Sequence, residues 1–246
     1  TGVQTCALPI SCQNRESGGS ASSLALDEGG NLYLAGAVSN SKSNNLFAIL
    51  VLKVDSKEGK PIWEKLWRPE WPKQLLAKHN AQGYAVCVSG NTLYVTGTTG
   101  AEIIVVSLDA KSGEIKGQKT VDVFKGYTDR GYTVKADDKG NVYVAGSGNN
   151  NGILLKFTSD LKLKWVKKVE LGLGGNINCL DVDSAGNLYL SCDRRGATTF
   201  FSVLKVDAEG KLLWGKTYEG SNNAQNNINL VRSEERRVGK ECRSRW

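Results

Sequence analysis

Asp137-Asp138-Lys139-Gly140-Asn141-Val142-Tyr143-Val144-Ala145-Gly146 reads as a tight turn feeding a short strand. An Asp at the start of such a turn accepts backbone N–H bonds, and a Gly three residues on takes the positive φ of a type I turn plus bulge. Close copies lie at 27–36 (Asp-Glu-Gly-Gly-Asn-Leu-Tyr-Leu-Ala-Gly) and 183–192 (Asp-Ser-Ala-Gly-Asn-Leu-Tyr-Leu-Ser-Cys), with a worn copy at 88–97. Counted on the residue that precedes each apolar triplet, the copies fall at Asn31, Thr92, Asn141 and Asn187, spaced by 61, 49 and 46 residues.

Each copy is followed by a second strand-turn-strand motif: 47–67, 102–121, 152–169 and 200–218. Turns 55–59, 109–113 and 207–211 use the same Asp-to-Gly device, whereas the third unit turns at Ser159-Asp160 without a Gly. Each unit thus holds four short strands, β-branched or aromatic and alternating apolar with polar. In the fourth unit they are expected at 178–182, 187–191, 200–206 and 211–218. No stretch of ten residues within the units has helical periodicity, which excludes a parallel α/β fold. A sandwich has no reason to repeat one two-motif unit four times. Four antiparallel strands every ~40–50 residues mark the blades of an all-β β-propeller.

The blades are expected at 18–67, 83–121, 131–169 and 175–218. A further one opens at 222–231, where Asn226-Asn227-Ile228-Asn229-Leu230-Val231 echoes 175–180. About four blades are therefore expected, an incomplete part of a six- to eight-blade ring. Large side chains recur in register: Tyr33, Tyr94, Tyr143 and Tyr189, then Trp63, Trp165 and Trp214, with Gly117 in the second unit. One bulky residue per blade fills the gap between stacked sheets, so this ladder is expected to be structural rather than a sugar or base platform.

Both ends depart from the pattern. The stretch 232–246 (RSEERRVGKECRSRW) resembles the translation of a short-read sequencing adapter whose DNA begins AGATCGGAAGAGC, and 1–10 (TGVQTCALPI) resembles that of its partner. The reading expected is a fragment, 11–231, between two non-native segments; the absence of any Met fits it. The tail carries six basic and three acidic residues, so without it the net charge falls from +7 to +4. The basic balance is then no argument for nucleic acid. The remaining Lys residues, such as Lys162, Lys164, Lys167 and Lys168, alternate with apolar ones in the manner of a solvated sheet edge.

Chemistry-bearing motifs are sparse. Cys12, Cys87, Cys179 and Cys192 lack C-x-x-C spacing, so zinc and dithiol readings fail. Cys179 and Cys192 fall on adjacent strands and could face each other, with two buried thiols the favoured state. Asp181-Val182-Asp183 resembles the start of an EF-hand loop, but Ala185 and Cys192 stand where ligands are needed. No Gly-rich turn leads into a helix, and no apolar run approaches ~18 residues. His79 is the only His, and it lies in the one insertion that breaks the repeat, 67–82 (WRPEWPKQLLAKHNAQ). Inserted loops on a rigid scaffold are where binding concentrates. Trp67, Trp71 and His79 are therefore the ligand-binding candidates, with local packing of Trp71 and Leu75 as the structural alternative.

The pattern Asp-x-x-Gly-Asn-[Val/Leu]-Tyr-[Val/Leu]-x-Gly, then a strand ending Lys-Val-Asp, then Gly-Lys-x-x-Trp-x-Lys, resembles the SBBP-type β-propeller repeat of bacteria and archaea. Residues 27–63, 137–165 and 183–214 carry it. The resemblance implies a secreted, periplasmic or cell-surface propeller of six to eight blades, and no defined activity. The phrase 108–113 is similar to the turn of quinone-cofactor dehydrogenase propellers, but vicinal Cys and clustered metal ligands are lacking, so that cofactor does not carry over. The expectation is a non-catalytic binding or scaffold protein with no cofactor or metal, engaging protein or carbohydrate at the propeller face. The alternative is an enzyme or glycan-binding domain with its site near 67–82.

Overall fold

Near-continuous apolar runs in the middle segments of each unit, such as 48–52, 103–106 and 142–145, dictate sheets with two apolar faces, which must be covered on both sides. A computed structural model describes residues 18–40, 46–69, 80–170, 175–194 and 200–219. Blade 1 comprises β1 (Gly19–Leu26), β2 (Leu32–Asn40), β3 (Leu46–Val54) and β4 (Pro61–Trp67). Blade 2 holds β5 (Ala81–Ser89), β6 (Thr92–Thr99), β7 (Glu102–Asp109) and β8 (Ile115–Val121). Blade 3 follows with β9 (Arg130–Ala136), β10 (Val142–Gly148), β11 (Asn151–Phe157) and β12 (Leu163–Val169). Blade 4 is β13 (Asn176–Val182), β14 (Leu188–Arg194), β15 (Phe200–Val206) and β16 (Leu212–Glu219).

Each blade is an antiparallel sheet with its strands in chain order, and the described residues contain no helix. This is the repeated four-strand unit expected from the motif. Contacts between blades run through the first strands, β1 to β5 to β9 to β13. Those strands form the inner edge of the arc, and the exposed fourth strands form its periphery. The four blades do not close a ring among the described residues.

The turns work as their sequence implies. Asp137 N–H donates to Asn141 O (3.0 Å), Gly140 N–H returns to Asp137 O (3.1 Å), and Gly140 sits at φ +79°. The Asp carboxylate does more than start the turn. Its Oδ1 accepts the N–H of Lys139 (2.9 Å) and Asn141 (2.8 Å), while Oδ2 accepts Asn141 Nδ2 (2.7 Å) and the Tyr143 hydroxyl (3.1 Å). Asp27-Asn31-Tyr33 and Asp183-Asn187-Tyr189 repeat this network. The second blade has no Asp at the equivalent point; Tyr94 donates its hydroxyl to Ser159 O of the next blade (3.1 Å).

Cross-strand register places Tyr33, Lys53 and Trp63 on one face of blade 1. Tyr143, Lys156 and Trp165 occupy that row in blade 3, and Tyr189, Lys205 and Trp214 in blade 4. In blade 2 the row is Tyr94, Ser107 and Gly117. The opposite faces carry Leu, Val and Ile. Every internal interface joins the Tyr face of one blade to the aliphatic face of the next. Tyr33, Ile49 and Val51 meet Leu93, Val95 and Val106. Tyr94 and Val105 meet Val142, Val144 and Phe157. Tyr143 and Leu154 meet Leu180, Leu188 and Leu190. A fully buried aliphatic or Phe side chain contributes about 1.5–3 kcal/mol of gross stabilisation. An exposed ion pair such as Lys60–Glu58 contributes about 0–1 kcal/mol. Packing between blades therefore dominates the stability of the arc, and Tyr33, Tyr94 and Tyr143 take part in it.

Candidate ligand-binding rim

The first strand of every blade carries a one-residue bulge at the same place. Ser22, Tyr84, Tyr132 and Asn178 have no opposite number on β2, β6, β10 and β14. A bulge bends its strand and re-aims a side chain, and bulges concentrate beside functional sites. The second strand accommodates it in three of the four blades. A Cβ on Gly97 or Gly146 would lie 1.8 Å from Gln82 O or Arg130 O, and one on Gly36 2.0 Å from Ser20 O. In blades 1 to 3 only Gly fits so close an approach of the kinked inner strand. In blade 4 Cys192 takes the place of that Gly and pairs with Ile177.

Two residues per blade thus line the inner edge: Ser20 and Ser22, Gln82 and Tyr84, Arg130 and Tyr132, Asn176 and Asn178. All are polar or carry a polar tip, and they differ from blade to blade, unlike the structural repeat. The second and third blades hold the densest chemistry. The Tyr84 and Tyr132 rings pack with centroids 5.5 Å apart at 56°. The Tyr84 hydroxyl donates to Gln82 Oε1 (2.7 Å). Burial pushes the Tyr84 phenol up; the Arg130 charge and its hydrogen bond to that hydroxyl oppose the rise. Gln82, Tyr84, Arg130 and Tyr132 are all half-buried, each held by a rigid strand with part of its surface open. Aromatic faces beside a planar cation and a fixed amide suit a ligand with an apolar face and carboxylate or hydroxyl groups.

The earlier candidates fare differently. Trp67, at the end of β4, is 5 % exposed and donates its indole N–H to Gln118 Oε1 (2.6 Å), so it packs between blades 1 and 2 rather than facing a ligand. Trp71 and His79 lie outside the described residues, as do 1–10, 222–231 and 232–246. The insertion nevertheless delivers the chain into β5, two residues before Tyr84. The carboxylates of the EF-hand-like stretch are committed: Asp183 to Asn187 and Tyr189, Asp181 to Lys135 (3.5 Å). Among the described residues no three His, Cys, Asp or Glu converge for a metal ion, and no helix is long and apolar enough to cross a membrane. Cys179 and Cys192 do not face each other, because the bulge at Asn178 sets Cys179 against Ser191 and Cys192 against Ile177; neither forms a disulfide.

Sequence reasoning centred on repeats passed over the rim because rim residues are what the repeat does not share. The signal was present as a paired phrase, Gln82-Gly83-Tyr84-Ala85-Val86 and Arg130-Gly131-Tyr132-Thr133-Val134.

Radial four-stranded blades with a polar, variable inner edge define a β-propeller, and here an incomplete one. No family model matches the chain, and no curated protein matches it. Solved structures do. Hydrazine synthase of Kuenenia stuttgartiensis aligns at TM-score 0.60 and 17 % identity, over 91 % of this chain and 54 % of that one. A subtype N11 neuraminidase-like protein of the flat-faced bat isolate H18N11 aligns at 0.53 and 14 %, over 82 % and 54 %. The Dos1 propeller aligns at 0.50 and 12 %, over 78 % and 46 %. Such identities establish the fold alone, and the chain spans about half the length of these proteins.

Proposed function

We propose that this chain is part of a non-catalytic binding propeller whose ligand is held at the inner rim by Gln82, Tyr84, Arg130 and Tyr132. The observation that carries the reading is the bulge in each first strand, which presents a different polar pair in every blade while the rest of the repeat stays constant. Among the described residues of that rim no nucleophile has a positioned base; the groups there bind and orient. The resemblance to SBBP-type repeats supports placing the protein outside the cytoplasm, in the periplasm or at the cell surface, with a protein or carbohydrate as partner. A second reading keeps the 67–82 insertion as a lip of the same site, because it leads directly into Gln82.

Glycan and peptide arrays probed with the wild-type chain test the proposal. Ligands retained by wild type are expected to be lost in Arg130→Ala and Gln82→Ala. Retention by both variants, with loss in Trp71→Ala and His79→Ala instead, would transfer the site to the insertion.

A further inference from the structure

The rim between blades 2 and 3 engages its acceptors internally and keeps donors in excess. The Tyr84 hydroxyl donates to Gln82 Oε1 (2.7 Å) and accepts from the Arg130 guanidinium. A guanidinium has five N–H donors and no acceptor, and an amide has two donors beside its one oxygen. With Gln82 Oε1 and the Tyr84 oxygen engaged, what remains is the Gln82 amide N–H pair, the other Arg130 donors and the Tyr132 hydroxyl.

The charge is one-sided as well. The inner-edge pairs of the four blades contain one Arg and no acid. None of the ion pairs among the described residues involves Arg130. Asp129 precedes it in the chain but is wholly buried, its Oδ2 accepting Val123 and Phe124 N–H. Asp181 lies by Lys135 (3.5 Å), and Asp193 Oδ1 accepts Asn176 N–H (3.1 Å). A half-buried guanidinium with no carboxylate of its own chain is suited to a ligand carboxylate, which it holds through two parallel N–H···O bonds.

The Tyr pair sets the second requirement. The Tyr84 and Tyr132 rings meet at an angle, not face to face. A pyranose packs its apolar C–H face on such a ring while its hydroxyls and any carboxylate stand at its edge. Asn176 and Asn178, on the inner edge of the next blade, bring amides that both donate to and accept from hydroxyls. A peptide strand fits less well, because the bulges at Tyr84 and Tyr132 interrupt the regular ladder that an added strand needs.

We propose that the ligand is an acidic glycan, a uronic acid residue of which is held by its carboxylate at Arg130 with its ring on Tyr84 and Tyr132. The proposal rests on the inner rim being the binding site.

Titration calorimetry of the full chain with oligomers of galacturonate, glucuronate and mannuronate, each beside its uncharged methyl ester, provides the test. At least one acid is expected to bind about tenfold or more tightly than its ester, a comparison that needs no variant. Arg130→Gln is expected to bring the acid down to the affinity of the ester, and Tyr132→Ala to weaken acid and ester alike. No binding of any acidic oligomer, an acid no tighter than its ester, or a preference that survives Arg130→Gln would overturn the proposal. The rim assignment fails separately. A neutral array ligand lost in Gln82→Ala keeps the rim and removes the uronate, whereas an acid preference untouched by both Arg130→Gln and Tyr132→Ala removes the rim.

Discussion

Leu161 of the third blade stands opposite Gly117 of the second, in the place where Trp63 and Trp165 lie over Gly113 and Gly210. Leu161 pays for this with φ +61°, a left-handed conformation that costs a side-chain-bearing residue about 1–2 kcal/mol. Its burial in the interface between blades 2 and 3 offsets that strain. Gly117→Trp alone should overpack the junction and lower unfolding free energy by about 1–3 kcal/mol. Gly117→Trp with Leu161→Gly should recover most of it, a coupling of about 1–3 kcal/mol by double-mutant cycle in urea. Additive losses would show that the two positions do not share one space.

Asp137 holds a turn and a buried phenol together. Asp137→Ala leaves the Tyr143 hydroxyl and two backbone N–H groups without their acceptor, at a cost of about 1–3 kcal/mol for the buried hydroxyl alone. Tyr143→Phe removes only the donor and should cost about 1 kcal/mol. Urea midpoints of the two variants, compared with wild type, check the ordering.

Acid should weaken the arc through the same network. Burial raises the Asp27 and Asp183 carboxyls, but hydrogen bonds from Asn31 and Asn187, then Tyr33 and Tyr189, outweigh it and hold both below the ordinary range. A lowered folded pKa gives stability that is present above about pH 4 and lost as pH falls through the folded value. Thermal midpoints of Asp27→Asn and Asp183→Asn should therefore converge on that of wild type as pH drops from about 5 to 2. The phenol responds in the opposite direction: burial, then the Asp27 hydrogen bond, pushes Tyr33 up to about 12.

Asp129 has the reverse sign. It is wholly buried in the blade 2–3 connection; Oδ2 accepts Val123 and Phe124 N–H while Oδ1 has no partner, and burial raises its carboxyl. Its stabilisation is present below the unfolded pKa and lost as pH rises through the raised folded value. Asp129→Asn keeps an acceptor for the two N–H groups and should narrow the stability difference between pH 4 and pH 7 by thermal melting. An unchanged difference would assign that pH dependence elsewhere.

Much of the fold was legible because one physical requirement recurs. Asp, Gly, Asn and Tyr at fixed offsets close a hairpin and fill a blade gap, and each use reinforces the pattern. The strands of the fourth unit fell where expected to within three residues at either end, the main extension being that of β14 to Arg194. The rim was not legible, because the bulges at Tyr84 and Tyr132 lie beside Gly97 and Gly146 of the neighbouring strand, across a register that only pairing reveals. Trp67 was misleading for a related reason. It begins an insertion in sequence, yet its ring turns back to Gln118 on the next blade.

The central claim is a division of labour in which the shared residues hold the blades and the unshared inner-rim residues bind. Tyr132→Ala and Tyr143→Phe, compared side by side for thermal midpoint and for retention of whichever array ligand wild type binds, test it most directly. The account predicts that Tyr132→Ala loses at least tenfold in ligand affinity with little change in midpoint, while Tyr143→Phe lowers the midpoint and keeps the affinity. Full affinity in Tyr132→Ala, or a loss of affinity confined to Tyr143→Phe, would contradict it.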